Sequence, residues 1–406
     1  MRIGTGAAAL CAAVCVHAGV AHAQGRALTL ADVLTRARER APQIVSARLA
    51  LEETRGRAVG AELRFQNNPE LEAALGNREG PETRFTDVEV GIGQTFEPRE
   101  RRTARIAGAN AAIAQSTAGI DAVTRVVLRD AAAAYYRALH ADQRIRLLDR
   151  SQELASGVYM VADRRFKAGD IAVLDVNIAR GSLARVRAER EGAEATKALA
   201  LGDLKQLLGI DEDISVQGEL NAGSDVALAT WLQAAAERPE LRALEAGVQE
   251  AEAEVRLGRA FGKPEYGVGV RYAREEGDQI VLGGLTVTLP VFAKGQELRT
   301  VGAARAARLR AELDAARARV QLEVRAAFDA YSRRVAAVRV LQTEAIPGLD
   351  ENETLTTRSF EVGQIGLPEL LLIRREILDT RSQYLDALLE AALARIELDA
   401  SAARLR

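Results

Sequence analysis

Apolar residues recur at helical spacing near the start of each half of the chain. They fall on one helical face in residues 30–65, and residues 226–261 form a second helical stretch of moderate length. Proline stands early in each stretch, at Pro42 and at Pro239. Because proline cannot donate the backbone hydrogen bond that continues a helix, we predict a bend or a helix restart at both positions.

Two much longer helical patterns follow, over residues 101–166 and 296–360, and each leads into a returning helix of roughly 35 to 40 residues. A helix of about 65 residues reaches roughly 100 Å at 1.5 Å per residue, which is deeper than any compact core. Alanine-rich seams such as 131–134 allow these helices to pair closely as coiled coil. Pro347-Gly348 interrupts only the second pattern, so we expect the two halves to bend differently there.

Four shorter stretches alternate between apolar and polar residues, which is typical of β-strands. They lie at 70–75, 87–93, 266–272 and 285–289, and polar turns at 77–82 and 274–279 join them into two hairpins. The second and third stretches each place apolar residues on one face: Val88, Val90, Ile92, Tyr266, Val268 and Val270. The opposite faces carry acids and glycines rather than residues that would form a core.

Each complete strand run is about 8 to 11 residues long, which is the length of a tilted membrane strand. The alternative is a pair of ordinary soluble hairpins that cap a helical protein. If the strands cross a bilayer, their apolar residues face lipid, and every backbone group must be paired, so the sheet must close. Four strands are half of the smallest membrane barrel, so closure needs several copies of the chain, and three copies would supply twelve strands.

One structural unit occurs twice along the chain. Residues 164–171 (RRFKAGDI) and 358–365 (RSFEVGQI) share a Phe-x-x-Gly motif, and other matches recur at nearly the same offset. A constant offset of this kind indicates gene duplication. We therefore predict two structural repeats, residues 24–224 and 225–406, each made of a helix, a β-hairpin and a long helical hairpin. The stretch 211–225, with its glycines and acids, is predicted to be the connector between them.

Residues 1–23 have the pattern of a secretion signal peptide. Arg2 provides a positive start, an apolar run follows, and Ala21-His22-Ala23 forms a small-x-small cleavage site. The alternative is a first helix of the fold. The two cysteines, Cys11 and Cys15, lie inside this segment and neither follows a lipoprotein cleavage pattern. The mature chain is therefore expected to have no disulfide and no lipid anchor.

Composition narrows the class of protein. The 406-residue chain could hold two globular domains, but aromatic residues make up only 4% of it, and alanine, leucine, arginine and glutamate dominate. This profile is typical of long helices in close contact and predicts an elongated molecule. The net charge of -2, which becomes -3 once Arg2 is removed, is too small to indicate binding to nucleic acid. No later segment approaches 18 uninterrupted apolar residues, so no transmembrane helix is predicted.

Residues suited to catalysis or metal binding are scarce. After residue 23 the chain has one histidine, His140, one methionine, Met160, and no cysteine. A nucleophilic triad would lack its base unless His140 served, and His140 lies on a predicted continuous helix as a surface or seam residue. A soft or borderline metal ion needs clustered imidazole or sulfur ligands. We therefore expect no enzyme activity, no cofactor and no metal site.

The order of elements, the duplication and the turns at 166–175 and 360–369 resemble the TolC family of outer-membrane efflux proteins, over nearly all of the chain after residue 23. Within that family, Asn68-Pro69-Glu70-Leu71 and residues 288–292 are similar to the CzcC branch, which serves heavy-metal cation efflux. That branch usually has Gly-Lys-Arg where this chain has FEPRERR at 96–102, so the chain departs from the pattern there.

The resemblance implies a mainly α fold with a small β part. Duplicated long helical hairpins would form a periplasmic α-barrel, and four strands per chain would contribute to a trimeric transmembrane β-barrel. The protein would be a homotrimer in the outer membrane, in contact with its lipid and extending into the periplasm. Its partners would be a periplasmic adaptor (membrane fusion) protein and an inner-membrane RND pump. A metal ion, if it is the solute, would then be selected in the pump.

The resemblance also assigns roles to the two helical turns. The turns would face the periplasm, and adaptor docking would involve Phe166, Gly169, Phe360 and Gly363. Acids just beyond the turns help to close the entrance in the family, and they correspond here to Asp175 and Glu369. A further acid of some relatives is replaced by Ile178 and Leu372, so this constriction would carry fewer carboxylates. Alternatively, Asp175 and Glu369 are solvated acids favoured by the helix dipole.

A protein of a different class also fits the pattern. If the strands are soluble, the chain would be a periplasmic coiled-coil scaffold or adhesin without channel activity. Cell fractionation, together with the migration of unheated detergent samples as a trimer, would separate the two possibilities.

Overall fold

The structure is a computed structural model that describes residues 26–81, 83–221, 223–224 and 227–405. The predicted signal peptide, residues 1–23, lies outside these residues. The described part is mainly helical with a small sheet part, as predicted. In chain order its elements are β1 (Arg26–Leu28), α1 (Leu30–Arg40), α2 (Pro42–Glu62), β2 (Glu70–Glu79), β3 (Arg84–Phe96), α3 (Arg99–Lys167), α4 (Val173–Leu208), β4 (Ile214–Val216), α5 (Leu228–Ala235), α6 (Pro239–Ala260), β5 (Glu265–Glu275), β6 (Asp278–Thr288), α7 (Gln296–Val340), a π-helical segment (Leu341–Ala345), α8 (Leu349–Glu361) and α9 (Leu367–Ser401).

Each half begins with two helices that are separated at a proline. Thr29 starts α1 with a reciprocal cap: its hydroxyl accepts from the Asp32 N–H at 3.2 Å, and the Asp32 carboxylate accepts from the Thr29 N–H at 3.0 Å. Pro42 and Pro239 are the first residues of α2 and α6, where a missing N–H removes no helical hydrogen bond. The predicted helix restarts at both prolines are confirmed.

The first long helix is continuous and the second is interrupted. α3 has 69 residues, so it extends roughly 100 Å at 1.5 Å per residue. In the second half, α7 ends at Val340 and passes through the π-helical segment before Pro347-Gly348 and α8. The interruption therefore begins at Leu341, earlier than the predicted Pro347-Gly348. The predicted interruption at Pro347-Gly348 is confirmed. Proline interrupts a helix because it lacks an N–H and its ring clashes with the preceding turn.

The helices pack side by side along α3, which contacts α2, α4, α6 and α9. One apolar core surrounds the middle of α3 and includes Leu28, Leu128 and Leu204. A second core gathers Trp231 and Tyr331 with residues of α6, α7 and α9. Among the helices that the structure describes, none combines the length and the apolar character needed to cross a bilayer.

Four of the described strands form one antiparallel sheet in the order β2-β3-β5-β6. The two hairpins meet where β3 pairs with β5. The strands have 10 to 13 residues, close to the predicted length of about 8 to 11, and both turns are shorter than predicted. The second turn consists of Glu276 and Gly277, whose φ angles are 52° and 97°. Positive φ at both central residues is the geometry of a type I′ turn, whose twist matches that of the strands, so pairing continues up to Glu275 and Asp278.

The connector between the two halves is more than a loop. Its β4 segment pairs in parallel with β1, a contact that was not predicted because three residues carry no periodic signal. Tyr135 of α3 donates a hydrogen bond to the Gln217 carbonyl at 2.7 Å, and Tyr331 of α7 donates one to the Ser224 carbonyl at 2.8 Å. Both halves therefore hold the connector, the first through β1 and Tyr135 and the second through Tyr331.

Candidate functional site

One face of the four-stranded sheet is apolar. Residues paired across antiparallel strands point to the same face, so the register assigns every side chain to a face. Ile92 pairs with Leu71 on one side and with Val270 on the other, and Val268 pairs with Leu285. The six apolar residues predicted on β3 and β5 therefore share one face. The register extends this apolar face to further residues: Leu71, Ala73, Leu75, Tyr272, Val281, Leu285 and Val287.

The apolar face is not covered by other described parts of the chain. Leu75 is 79% exposed, Leu285 is 71% exposed and Val270 is 56% exposed. Val88 is less exposed than these three residues. An exposed apolar surface of this extent marks contact with a membrane or with another protein.

The opposite face of the sheet is polar and rich in glycine. Gly93, Gly269 and Gly284 are aligned across three strands. Beside this glycine row, the Arg271 guanidinium pairs with the Glu89 carboxylate at 2.7 Å, and both side chains are partly exposed to solvent. A face with exposed charges and few bulky side chains has the chemistry of a surface that borders a water-filled lumen.

Two arginines of α3 join the sheet to the helices. The buried Arg101 guanidinium donates to two backbone carbonyls at the end of α6, both at 3.3 Å, and pairs with Glu265 at the start of β5. Arg105 pairs with the Glu97 carboxylate at 2.6 Å and donates to a carbonyl at the end of α2 at 3.2 Å. Helix C-termini have unpaired carbonyls and partial negative charge, so each arginine caps one helix and fixes it to the sheet.

The two Phe-x-x-Gly turns have the same backbone geometry. Gly169 has a φ angle of 84°, and the next N–H donates to the Arg165 carbonyl at 2.9 Å. Gly363 has a φ angle of 77°, and the next N–H donates to the Ser359 carbonyl at 2.8 Å. These are Schellman-type helix ends, in which glycine adopts the left-handed conformation without strain. This geometry explains the glycine of the motif in both halves.

The side chains of the two turns differ in burial. Phe360 packs against the tip cluster, which consists of Val158, Ala162, Val176, Ala179, Leu367 and Leu370. Phe166 holds the same motif position in the first turn but is 42% exposed. Val173 begins α4 and is 54% exposed, whereas Leu367 begins α9 and is 7% exposed. The first turn therefore presents apolar surface that the second turn buries.

Asp175 and Glu369 occupy equivalent positions, each being the third residue of its returning helix. Neither helix has a side-chain cap, and the partial positive charge of a helix N-terminus favours an acid in the first turn. Asp175 is half-buried and Glu369 is exposed. The residues that follow them, Val176 and Leu370, both belong to the tip cluster. The two acids therefore lie at the same end of the folded molecule, beside the tip cluster.

A polar network near the tip was not predicted. The buried Glu353 carboxylate of α8 accepts from Arg381 of α9 at 2.9 Å. Arg374 of α9 donates to the Leu154 carbonyl at 3.2 Å and to the Thr357 hydroxyl at 3.1 Å, and burial lowers its pKa. These contacts tie α8 to its neighbours beyond the π-helical segment. These contacts could not be predicted from the sequence, because charged residues are common on all of the long helices.

His140 lies in a seam between α3 and α9. Its ring Nε2 is 2.8 Å from Asp386 Oδ1, and Arg144 donates to the same carboxylate oxygen at 3.2 Å. Of the two positions predicted for His140, surface or seam, the structure shows the seam. Within the described ranges, no group of three or more His, Cys, Asp or Glu residues is arranged to hold a metal ion.

The sequence matches the outer membrane efflux protein family twice, over residues 33–210 and over residues 231–404. The chain belongs to this family. The predicted resemblance to TolC-type efflux proteins is thereby confirmed. As a member, the chain is an outer-membrane efflux protein.

Two known proteins have related sequences. The chain is 28% identical over 300 residues to protein CyaE of Bordetella pertussis. This alignment covers 70% of this chain and 63% of CyaE. It is 26% identical over 339 residues to the cobalt-zinc-cadmium resistance protein CzcC of Cupriavidus metallidurans. This alignment covers 82% of this chain and 80% of CzcC. The chain thus spans less than two thirds of CyaE and most of CzcC.

The fold is similar to that of a solved channel protein. The structure of CusC, described in connection with transmembrane channel formation, matches with a TM-score of 0.77 and covers 92% of this chain and 91% of CusC. The sequence identity is 16%, so this comparison concerns the fold alone.

Proposed function

We propose that this protein is the outer-membrane channel of a three-part efflux system, and that it passes solutes from a periplasmic adaptor and an inner-membrane RND pump to the exterior. The observation that carries the proposal is the sheet with an exposed apolar face and a polar, glycine-rich face. In a bilayer the apolar face lies against lipid and the polar face lines a lumen. Val88, Val90, Ile92, Tyr266, Val268 and Val270 are then lipid-facing residues.

The free edges of the sheet support a homotrimer. β2 and β6 are the outer strands of the sheet, and lipid offers no hydrogen bonds to their backbone groups, so other copies must pair with them. Two copies would give eight strands, and a barrel of about eight strands is filled by its own side chains. Three copies give twelve strands and leave a lumen, which suits the glycine-rich face.

We also propose that the chain consists of two structural repeats, residues 24–224 and 225–406. The two separate family matches, the repeated order of elements and the equal geometry of the two turns support this division. Three chains would then bring six long helical hairpins around one axis and form the periplasmic α-barrel.

The proposed solutes are heavy-metal cations, and the similarity to CzcC supports this choice. The adaptor docks at the turns that contain Phe166, Gly169, Phe360 and Gly363. Metal selection takes place in the pump, because after residue 23 this chain has a single histidine and no cysteine.

The first experiment determines assembly and conductance together. The detergent-extracted protein should have the mass of a trimer by light scattering, migrate as a trimer without heating, and conduct ions in planar bilayers. A monodisperse monomer that still conducts would contradict the trimer. A protein found in the soluble periplasmic fraction without conductance would support the scaffold or adhesin instead.

The second experiment concerns the entrance. Three copies each of Asp175 and Glu369 would ring the periplasmic mouth, and carboxylates held close together draw in cations ahead of anions. Asp175→Asn/Glu369→Gln should reduce cation preference, measured as the reversal potential under a salt gradient, and leave trimer formation unchanged.

A matched control removes the same two charges far from both turns. Glu191 and Asp314 are 77% and 78% exposed at the side chain, so Glu191→Gln/Asp314→Asn should leave the reversal potential at its original value. An unaltered potential in the entrance variant would mean that Asp175 and Glu369 are solvated helix-start acids.

A further inference from the structure

An arginine-rich groove lies between α3 and α6, just beyond the end of the sheet. Arg99 of α3 and Arg256 and Arg259 of α6 line it and are exposed. Thr103 and three alanines, Ala104, Ala107 and Ala260, form much of its wall, and Glu100 and Lys263 also line it. The groove therefore combines a basic rim with a small-residue, largely apolar wall.

The groove carries uncompensated positive charge. Lys263 also lines it, but its ammonium pairs with Glu100, and this hydrogen bond lowers the pKa of Glu100, so the two charges cancel. Arg99, Arg256 and Arg259 form no ion pair with any described residue. Three like charges along one groove repel one another unless an anion binds between them.

Several aromatic residues lie close to the groove, at the ends of the strands that adjoin the helices. Arg99 lies just past β3, and α6 ends just before β5. The rings of Phe65 and Phe96 contact edge to face at 5.6 Å, and Tyr266 is the strand partner of Phe96. Phe292, beyond the end of β6, is exposed. Aromatic side chains of membrane proteins collect at the level of the lipid headgroups, which places the groove near the lipid phosphates.

The groove opens on the outer side of α3. Arg105 lies on the opposite side of α3 from Thr103, because two residues turn a helix through about 200°. Arg105 pairs with Glu97 and donates to the Ala61 carbonyl of α2, and both side chains of the pair are mostly buried. Arg105 therefore faces α2, and Thr103 with the groove lies on the opposite, exposed side of α3.

We propose that this groove binds the phosphate-bearing headgroup of an anionic phospholipid in the periplasm-facing leaflet. Guanidinium groups bind phosphate through paired N–H donors, and the alanine wall lets the headgroup approach the backbone closely. The bound lipid would fix the depth of the protein in the membrane. This inference rests on the proposed placement of the sheet in the bilayer.

Lipid binding to the full mature protein tests the inference. Phosphatidylglycerol is titrated onto the detergent-purified assembly, and bound lipid is counted by native mass spectrometry, with zwitterionic phosphatidylethanolamine as the reference lipid. Arg99→Gln/Arg256→Gln/Arg259→Gln should weaken phosphatidylglycerol binding about fivefold for each arginine removed. Thr103→Glu places a carboxylate in the groove, keeps all three arginines and should also weaken binding.

The matched control is Arg187→Gln/Arg325→Gln/Arg333→Gln, which removes three exposed arginines from the long helices and should bind phosphatidylglycerol as the original protein does. Equal binding by the original protein and both groove variants overturns the inference. Displacement of the lipid by millimolar inorganic phosphate overturns the choice of a lipid ligand. Conductance separates the two proposals: conducting trimers with unchanged lipid binding contradict only the groove site, whereas absence of any conducting assembly contradicts the proposed function and the groove site with it.

Discussion

The sheet and the helical part of this chain place the same kinds of residue in opposite environments. Leu204 of α4 and Leu128 of α3 are buried against neighbouring helices, whereas Leu75 of β2 and Leu285 of β6 are exposed. For a protein in water, burying a leucine inside the fold is favourable because apolar surface is removed from the solvent. The helices also expose separate leucines, such as Leu199 and Leu322, but the sheet gathers its exposed apolar residues on one face, which is the chemistry of a surface that contacts a membrane or another protein.

Polar residues show the same contrast. In the helical part the buried Arg238 guanidinium pairs with Glu323 at 2.6 Å and with Glu240 at 3.3 Å. On the sheet, the Arg271 and Glu89 pair lies on the open polar face. Buried charges must be paired, whereas charges on a solvent-exposed surface are hydrated whether or not they are paired.

The largest expected effect tests the helical side of this comparison. Leu204→Ala should destabilise the protein by about 2 to 5 kcal/mol, because it leaves a cavity in a closed core. Leu75→Ala removes the same atoms from an exposed position and should change stability by less than about 0.5 kcal/mol. Denaturant unfolding in detergent, followed by helical circular dichroism, measures both values. Equal losses would mean that the sheet face is packed against protein.

The next effect tests the sheet. Val90→Arg should cost about 2 to 4 kcal/mol of assembly stability if Val90 lies near the bilayer midplane, because lipid does not solvate the charge. The fraction of protein recovered as trimer after membrane extraction measures this loss.

Its control is the adjacent position, whose side chain points to the polar face. Glu89→Arg alone would place two positive charges together, so the control exchanges the pair as Glu89→Arg/Arg271→Glu and keeps the ion pair. The exchanged pair should assemble normally. Equal failure of both variants would refute the assignment of the two faces.

The smallest effect concerns the polar contrast. Tyr135→Phe and Tyr331→Phe should each cost about 1 kcal/mol, because each leaves a connector carbonyl without its hydrogen bond. Thr286→Val on the open polar face should stay within about 0.5 kcal/mol of the original protein. Thermal unfolding of the three variants compares them directly. Tyrosine variants as stable as Thr286→Val would show that water replaces the lost contacts.

Much of this fold could be predicted because the signals are local. Helical periodicity located the long helices, and the restarts at Pro42 and Pro239 follow from a missing N–H. The apolar alternation of β3 and β5 identified six residues that share a face. Each of these features depends on residues that are close together in the sequence.

The features that were not predicted depend on contacts between distant parts of the chain. The pairing of β1 with β4, the capping of two helices by Arg101 and Arg105, and the Glu353 network join segments that the sequence separates widely. The turn at Glu276-Gly277 was predicted too long, because a glutamate rarely adopts positive φ and gave no turn signal. Entrance roles for Asp175 and Glu369 remain a prediction, since they depend on other copies of the chain.

The pairing of β1 with β4 also gives the first half of the chain a closure that needs no residue of the second half. It places the two ends of the first half side by side, and the N-terminal half emerges first. That half can close on itself, with Tyr135 already holding the connector, before α5 exists. The contact from Tyr331 forms only after the second long helix has been made. The first half can therefore close locally, but its core is completed only by residues of the second half, among them Val338, Leu388 and Ala391.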